Sequence, residues 1–226
     1  MIRISQAELD ILNNDFFRFK TRITQSKKQD TTYFVSQMSQ FEKKYKKAGL
    51  ERSFAGNIFN FAEQMRKLGI EDFPGIIYSN LMKMPFLKPQ VKEFYAIKAL
   101  EFAQEQGDVI HELARLVDLE KLYKKSGETK KYAKVLFQQE KVLIKICNDF
   151  KNAKKNYKTY SRQNNILEKY ELELAKTRVD IAKVVLRVNP ALAKIVLKKA
   201  RIIFEREDRT KEMEFIDLLL SQIKNT

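Results

Sequence analysis

LEKLYKKSGETKKYAKVLF, residues 119–137, is the stretch that decides the fold. Leu119, Leu122 and Tyr123 recur at three and four positions, the spacing of one helix face. Gly127 then falls where such a segment ends, and glycine takes the left-handed conformation of a helix C-terminus at little steric cost. Beyond it, Tyr132 and Leu136 resume the helical period. The stretch therefore reads as helix, short turn, helix. The same punctuation recurs at Gly49, Gly69 and Gly107, each after an apolar-periodic segment, and no glycine follows Gly127. The chain is expected to be all-α, and no glycine remains for a loop that cradles phosphate.

Working outward, Ser5 and Glu8 form a capping-box pattern ahead of a stripe of Leu9, Leu12, Phe16, Phe19 and Ile23. Gln25 to Asp30 make a polar turn. Phe34, Met38, Phe41 and Tyr45 give a second stripe, and Phe54, Ile58, Phe61, Met65 and Leu68 a third. Gly56 inside the third costs about 1 kcal/mol against alanine, which a close helix contact would explain. Asp72-Phe73-Pro74 opens a short segment, and Pro85 and Pro89 bracket a stiff connection. That connection divides the chain into an N-terminal helical segment, 1–84, and a C-terminal helical-repeat segment, 89–226, expected to pack as one continuous unit.

Val91 to Ala103 form the next helix, and Asp108 caps another containing Ile110, Leu113, Leu116, Val117 and Leu119. From Glu128 the pattern runs long. A single helix here would hold about 33 residues and span about 50 Å, unless the Asn-rich piece from Asn148 to Asn165 turns instead. Residues 166–188 are apolar over a wide arc, as in a central, deeply packed helix. Asn189-Pro190 opens a helix with Leu192, Ile195, Val196 and Ile203, and a last helix carries Met213, Ile216, Leu219 and Ile223. About nine or ten helices with short connections place neighbours antiparallel. Such pairs stack as an α-solenoid or a compact helical bundle.

Residues 119–143 also resemble a tetratricopeptide repeat. Leu119, Leu122 and Tyr123 lie on the first helix, Gly127 comes four after the tyrosine, and Ala133 and Phe137 lie on the second. The small residue of that family comes five after the glycine, whereas Ala133 comes six after. Residues 96–116 give a weaker echo, and Asn189-Pro190 resembles the proline that ends a repeat. The resemblance covers about a third of the chain and implies tetratricopeptide-like stacking of helix pairs and a protein-binding scaffold with a concave groove.

The chain of 226 residues carries 44 basic and 29 acidic side chains, a net charge of +15. The excess is uneven: residues 1–112 hold 17 basic and 14 acidic groups, residues 113–226 hold 27 and 15. A basic half points to an anionic partner. The basic residues are mostly lysine, and arginine is the better mark of bidentate phosphate or base recognition. Cys147, the only cysteine, lies among apolar neighbours and excludes an intrachain disulfide, which suits the reducing cytoplasm. The N-terminal residues lack the apolar core of a signal peptide, and no apolar run is long enough for a membrane span.

Little in the sequence points to catalysis. His111 is the only histidine, and with Asp108 at i and i+3 it makes half of a metal pair. The carboxylates at Glu168, Glu171 and Glu173 and from Glu205 to Glu214 have basic neighbours at helical spacing, as on solvated faces. No nucleophile elbow or dinucleotide fingerprint is present. The expectation is a non-enzymatic protein with no cofactor, metal or small-molecule substrate.

The strongest positive signal is residues 121–158, with twelve lysines, no arginine and three acidic residues. Lys130, Lys134, Lys141, Lys145 and Lys155 fall near one helical face, with Arg162 beyond the turn. These six are the expected contacts for a protein or peptide with an acidic surface. Nucleic acid is the alternative partner, with phosphates on the lysines and bases stacked on Tyr123, Tyr132, Tyr157 and Tyr160.

Overall fold

The computed structural model describes residues 5–26, 30–156 and 161–224, with side chains except at 153–164 and 224. Among the described residues there are ten helices and no strand, so the all-α reading holds. They are α1 (Gln6–Gln25), α2 (Thr31–Lys47), α3 (Glu51–Lys67), α4 (Pro74–Lys83), α5 (Pro89–Glu105), α6 (Val109–Ser126), α7 (Thr129–Asn156), α8 (Ser161–Val185), α9 (Pro190–Arg206) and α10 (Thr210–Lys224). Their ends follow local chemistry. Ser5 and Glu8 close a reciprocal capping box on α1. Asp108 accepts from the backbone N–H groups of Ile110 and His111 to cap α6. Asn189 caps α9, with Pro190 at its first position. Gly127 ends α6 at φ 72°, and the N–H groups of Gly127 and Glu128 satisfy the Tyr123 carbonyl.

Two compact units follow one another in sequence, Met1–Gln106 and Gly107–Thr226. The sequence reading put its boundary at 84–89, but the Pro85–Pro89 stretch lies within the first unit, where α4 and α5 pack closely against each other. Pro89 starts α5 rather than separating it, because proline suits a first helical turn.

In unit one the core is built from rings. Phe16 of α1 meets Phe41 of α2 edge-on at 5.1 Å and lies 5.9 Å from Phe54 of α3. Phe34 of α2 stacks on Phe73 at 4.2 Å. Phe59 of α3 lies 5.4 Å from both Phe94 and Tyr95 of α5. The pairs Phe19–Phe34, Phe16–Phe41 and Asn13–Tyr45 fix α1 and α2 as antiparallel. Tyr78, wholly buried, donates to Glu63 at 2.5 Å, and its phenol is pushed up by burial and by that carboxylate. Gly56 has open space where a Cβ would sit, so no close helix contact accounts for it. Leu68, read as part of the third stripe, is exposed.

Unit two has an aliphatic core of Leu136, Leu143, Leu174, Ile181, Leu197, Ile203 and Ile216, with Ala175, Ala182, Ala193 and Ala200 between them. Small side chains let backbones approach, and α8 runs in close contact with both α7 and α9. Glu140–Arg178 and Lys151–Glu171 show that α7 and α8 are antiparallel, and Glu171–Arg206 shows the same for α8 and α9. α7 and α9 therefore run parallel, one on each side of α8. The long pattern after Glu128 resolves as a helix of 28 residues ending at Asn156, inside the Asn-rich piece. Val188, read with the apolar arc of α8, lies past that helix and is exposed.

Candidate functional site

The four lysines Lys130, Lys134, Lys141 and Lys145 are all exposed on α7. None has an ion-pair partner among the described residues. The first and last stand 15 positions apart, about 22 Å of helix, and at 100° per residue the four keep to about one quadrant of it. Their neighbour Lys131 behaves differently: it pairs with Glu128 at 2.7 Å and lies over the Tyr123 ring. Lys155 and Arg162 lie outside the residues whose side chains are described. So do Tyr157 and Tyr160. Tyr123 is buried and Tyr132 half-buried, so neither offers a free ring face of the kind base stacking needs.

A second feature lies between α7 and α9. α8 forms the floor of a groove of about 340 Å³ with Leu174, Glu171 and Arg178. Ile144, Cys147, Asn148 and Lys151 line it from α7, and Lys199, Ile202, Ile203 and Arg206 from α9. Glu171 is buried at the centre of its charge. It accepts from Lys151 at 2.7 Å and from both terminal guanidinium nitrogens of Arg206. A carboxylate held by cations from two helices ties α7 to α9. Arg178, also in the lining, is held by Glu140 at 2.8 Å. Lys199 has no ion-pair partner among the described residues. The Cys147 thiol is buried and pushed up, first by burial and then by the Glu171 charge. A raised pKa keeps it mostly protonated, so it reacts slowly.

Sequence reasoning missed this groove. It read Ile195 with the apolar residues of this helix, but Ile195 is 51% exposed and Ile202 is 66% exposed. The signal was present on α9: Ile195, Lys199, Ile202 and Arg206 recur at four, three and four positions. That period marks one helix face, and it mixes isoleucine with cations instead of repeating isoleucine alone. The carboxylates were expected on solvated faces, but Glu171 is buried between Lys151 and Arg206, while Glu207 bonds its neighbour Arg206.

His111 is exposed at the start of α6, where its Nδ1 lies 2.5 Å from Asp108. The Asp108 carboxyl is held below its ordinary value, first by the backbone N–H of His111. No group of three potential metal ligands converges among the described residues. No described helix is long and apolar enough to cross a membrane.

Comparison with protein-family models, curated proteins and solved structures finds no match. The resemblance to the tetratricopeptide repeat therefore rests on the sequence alone, best over residues 119–143.

Proposed function

We propose that this protein is a non-enzymatic interaction scaffold that docks a partner protein or peptide carrying an acidic surface. The observation that carries this reading is the row of exposed, unpaired lysines on α7. Several other cations of unit two are matched to a nearby carboxylate, as at Lys176–Glu173, Lys183–Asp180 and Arg178–Glu140. A row left unmatched along one helix steers an acidic surface and speeds its encounter. The tetratricopeptide-like hairpin of α6 and α7 fits a scaffold that presents helix faces. A reducing compartment such as the cytoplasm suits a chain with one buried thiol.

Nucleic acid is less well supported, because the described tyrosines of this region are committed to packing. Cross-linking in extracts of the source cell separates the two. The native chain is compared with the Lys134→Glu, Lys141→Glu, Lys145→Glu variant, each with and without nuclease. Acidic proteins captured by the native chain, lost in the variant and indifferent to nuclease are expected. Capture that disappears on nuclease treatment would replace this reading with the nucleic-acid one.

A further inference from the structure

We infer that the groove between α7 and α9 receives an acidic amphipathic helix of the partner, with its apolar residues on Ile144 and Ile202 and its carboxylates on Lys199, Lys141 and Lys145. This deepens the proposed function and rests on it. Three observations lead to it.

The first is apolar. Ile144 and Ile202 line the same groove from opposite sides, 37% and 66% exposed, over a floor that includes Leu174. Burying exposed isoleucine side chains is favourable, so two facing ones make an anchor. The second is charge. Glu171 occupies Lys151 and Arg206, and Glu140 occupies Arg178, so the cations left over are Lys199 in the groove and Lys141 and Lys145 beside Ile144. These select carboxylates, and they repel a second copy of this chain, whose matching surface is equally basic. The third is period. Ile195, Lys199, Ile202 and Arg206 on α9, and Lys141, Ile144, Lys145 and Asn148 on α7, both follow helical spacing. A ligand helix lying along them meets apolar and acidic positions in the same period, the pattern of helix-in-groove recognition. The α9 stripe is about 16 Å long, so the ligand needs about three turns. The Glu171 clasp sets the two walls before the ligand arrives, which lowers the ordering cost of binding.

The probe is a labelled peptide of about 14 residues, roughly four helical turns, built from glutamate, alanine and leucine with the leucines on one face. Its comparators are a shuffled peptide of the same composition and a single-stranded oligonucleotide of equal charge. Anisotropy should show the patterned peptide binding about tenfold tighter than the shuffled one, the scale expected from burying apolar area on two isoleucines. The Ile144→Ser, Ile202→Ser variant should remove that margin and leave the shuffled peptide's binding unchanged. Both isoleucines are exposed enough for the fold to tolerate the change, which circular dichroism checks. Saturating patterned peptide should also slow alkylation of Cys147, the only thiol, which lines the groove. Equal binding of both peptides, or a margin that survives the double variant, overturns the groove inference while the acidic-partner reading stands. Binding of the oligonucleotide with neither peptide retained overturns both.

Discussion

Twelve of the sixteen phenylalanines lie in unit one and four in unit two, and the two cores differ accordingly. In unit one, rings from α1, α2 and α3 meet edge-on, tilted or stacked, and they hold the helix backbones apart. In unit two, alanines and branched aliphatics let α7, α8 and α9 approach closely. A ring core draws its stability from a few large groups, each filling much of the space between helices. An alanine-rich core draws it from close approach, and it has no room to spare. Charge differs too: unit one holds 17 basic and 12 acidic residues, unit two 27 and 17. The unit with the tightly packed helices is also the one with the larger basic surplus.

The largest expected effect tests the ring core. Phe16→Ala removes contacts to Phe19, Phe41, Tyr45 and Phe54 at once and should cost about 3–5 kcal/mol in urea unfolding. The converse change tests unit two. Ala182→Leu, at a fully buried position, should cost about 1–3 kcal/mol by overpacking. A neutral result there would mean that α8 is not closely packed, and the contrast between the units would collapse.

Glu171→Gln comes next. It leaves Lys151 and Arg206 without their shared carboxylate, but both cations are about half exposed, so the cost should be at the low end for a buried charge-assisted bond, about 1–2 kcal/mol. Faster alkylation of Cys147 would report the loosened clasp. Gly56→Ala runs the other way: the position is exposed, helical and open, so the variant should gain about 1 kcal/mol. A loss would show that Gly56 has a role the contacts do not show.

The smallest test is titration. Burial, reinforced by Asp180 and Glu120, pushes the Tyr132 phenol up from 10.0 to about 12. The folded state thus favours the neutral ring. That contribution is complete below about pH 10 and is lost as pH rises towards about 12. Tyr132→Phe should therefore lose less stability than the native chain over that interval, compared by denaturant midpoint at each pH.

Much of the fold was legible because helix signals are local. Leu12, Phe16, Phe19 and Ile23, or Phe34, Met38, Phe41 and Tyr45, announce a buried stripe by their spacing alone, and all eight are buried. Caps at Ser5, Asp108 and Asn189 declare themselves within four residues. Leu68, Phe94, Ile110 and Ile195 obey the same period and are exposed. Spacing marks a face, but cannot say whether another helix covers it. Of the candidate site, the exposed lysines of α7 were visible as a charge run. The groove beside them was not, because its residues come from three helices up to 62 positions apart, from Ile144 to Arg206.

The order and ends of the helices, the basic surplus and the amphipathic faces were written in short-range patterns, since hydrogen bonding and side-chain period act within a few residues. Which isoleucines stay in water, which lysines lack a carboxylate and where a groove opens depended on how α7, α8 and α9 pack. Those outcomes come from distant side chains competing for the same space, with Glu171 meeting Lys151 and Arg206 only once the three helices are assembled.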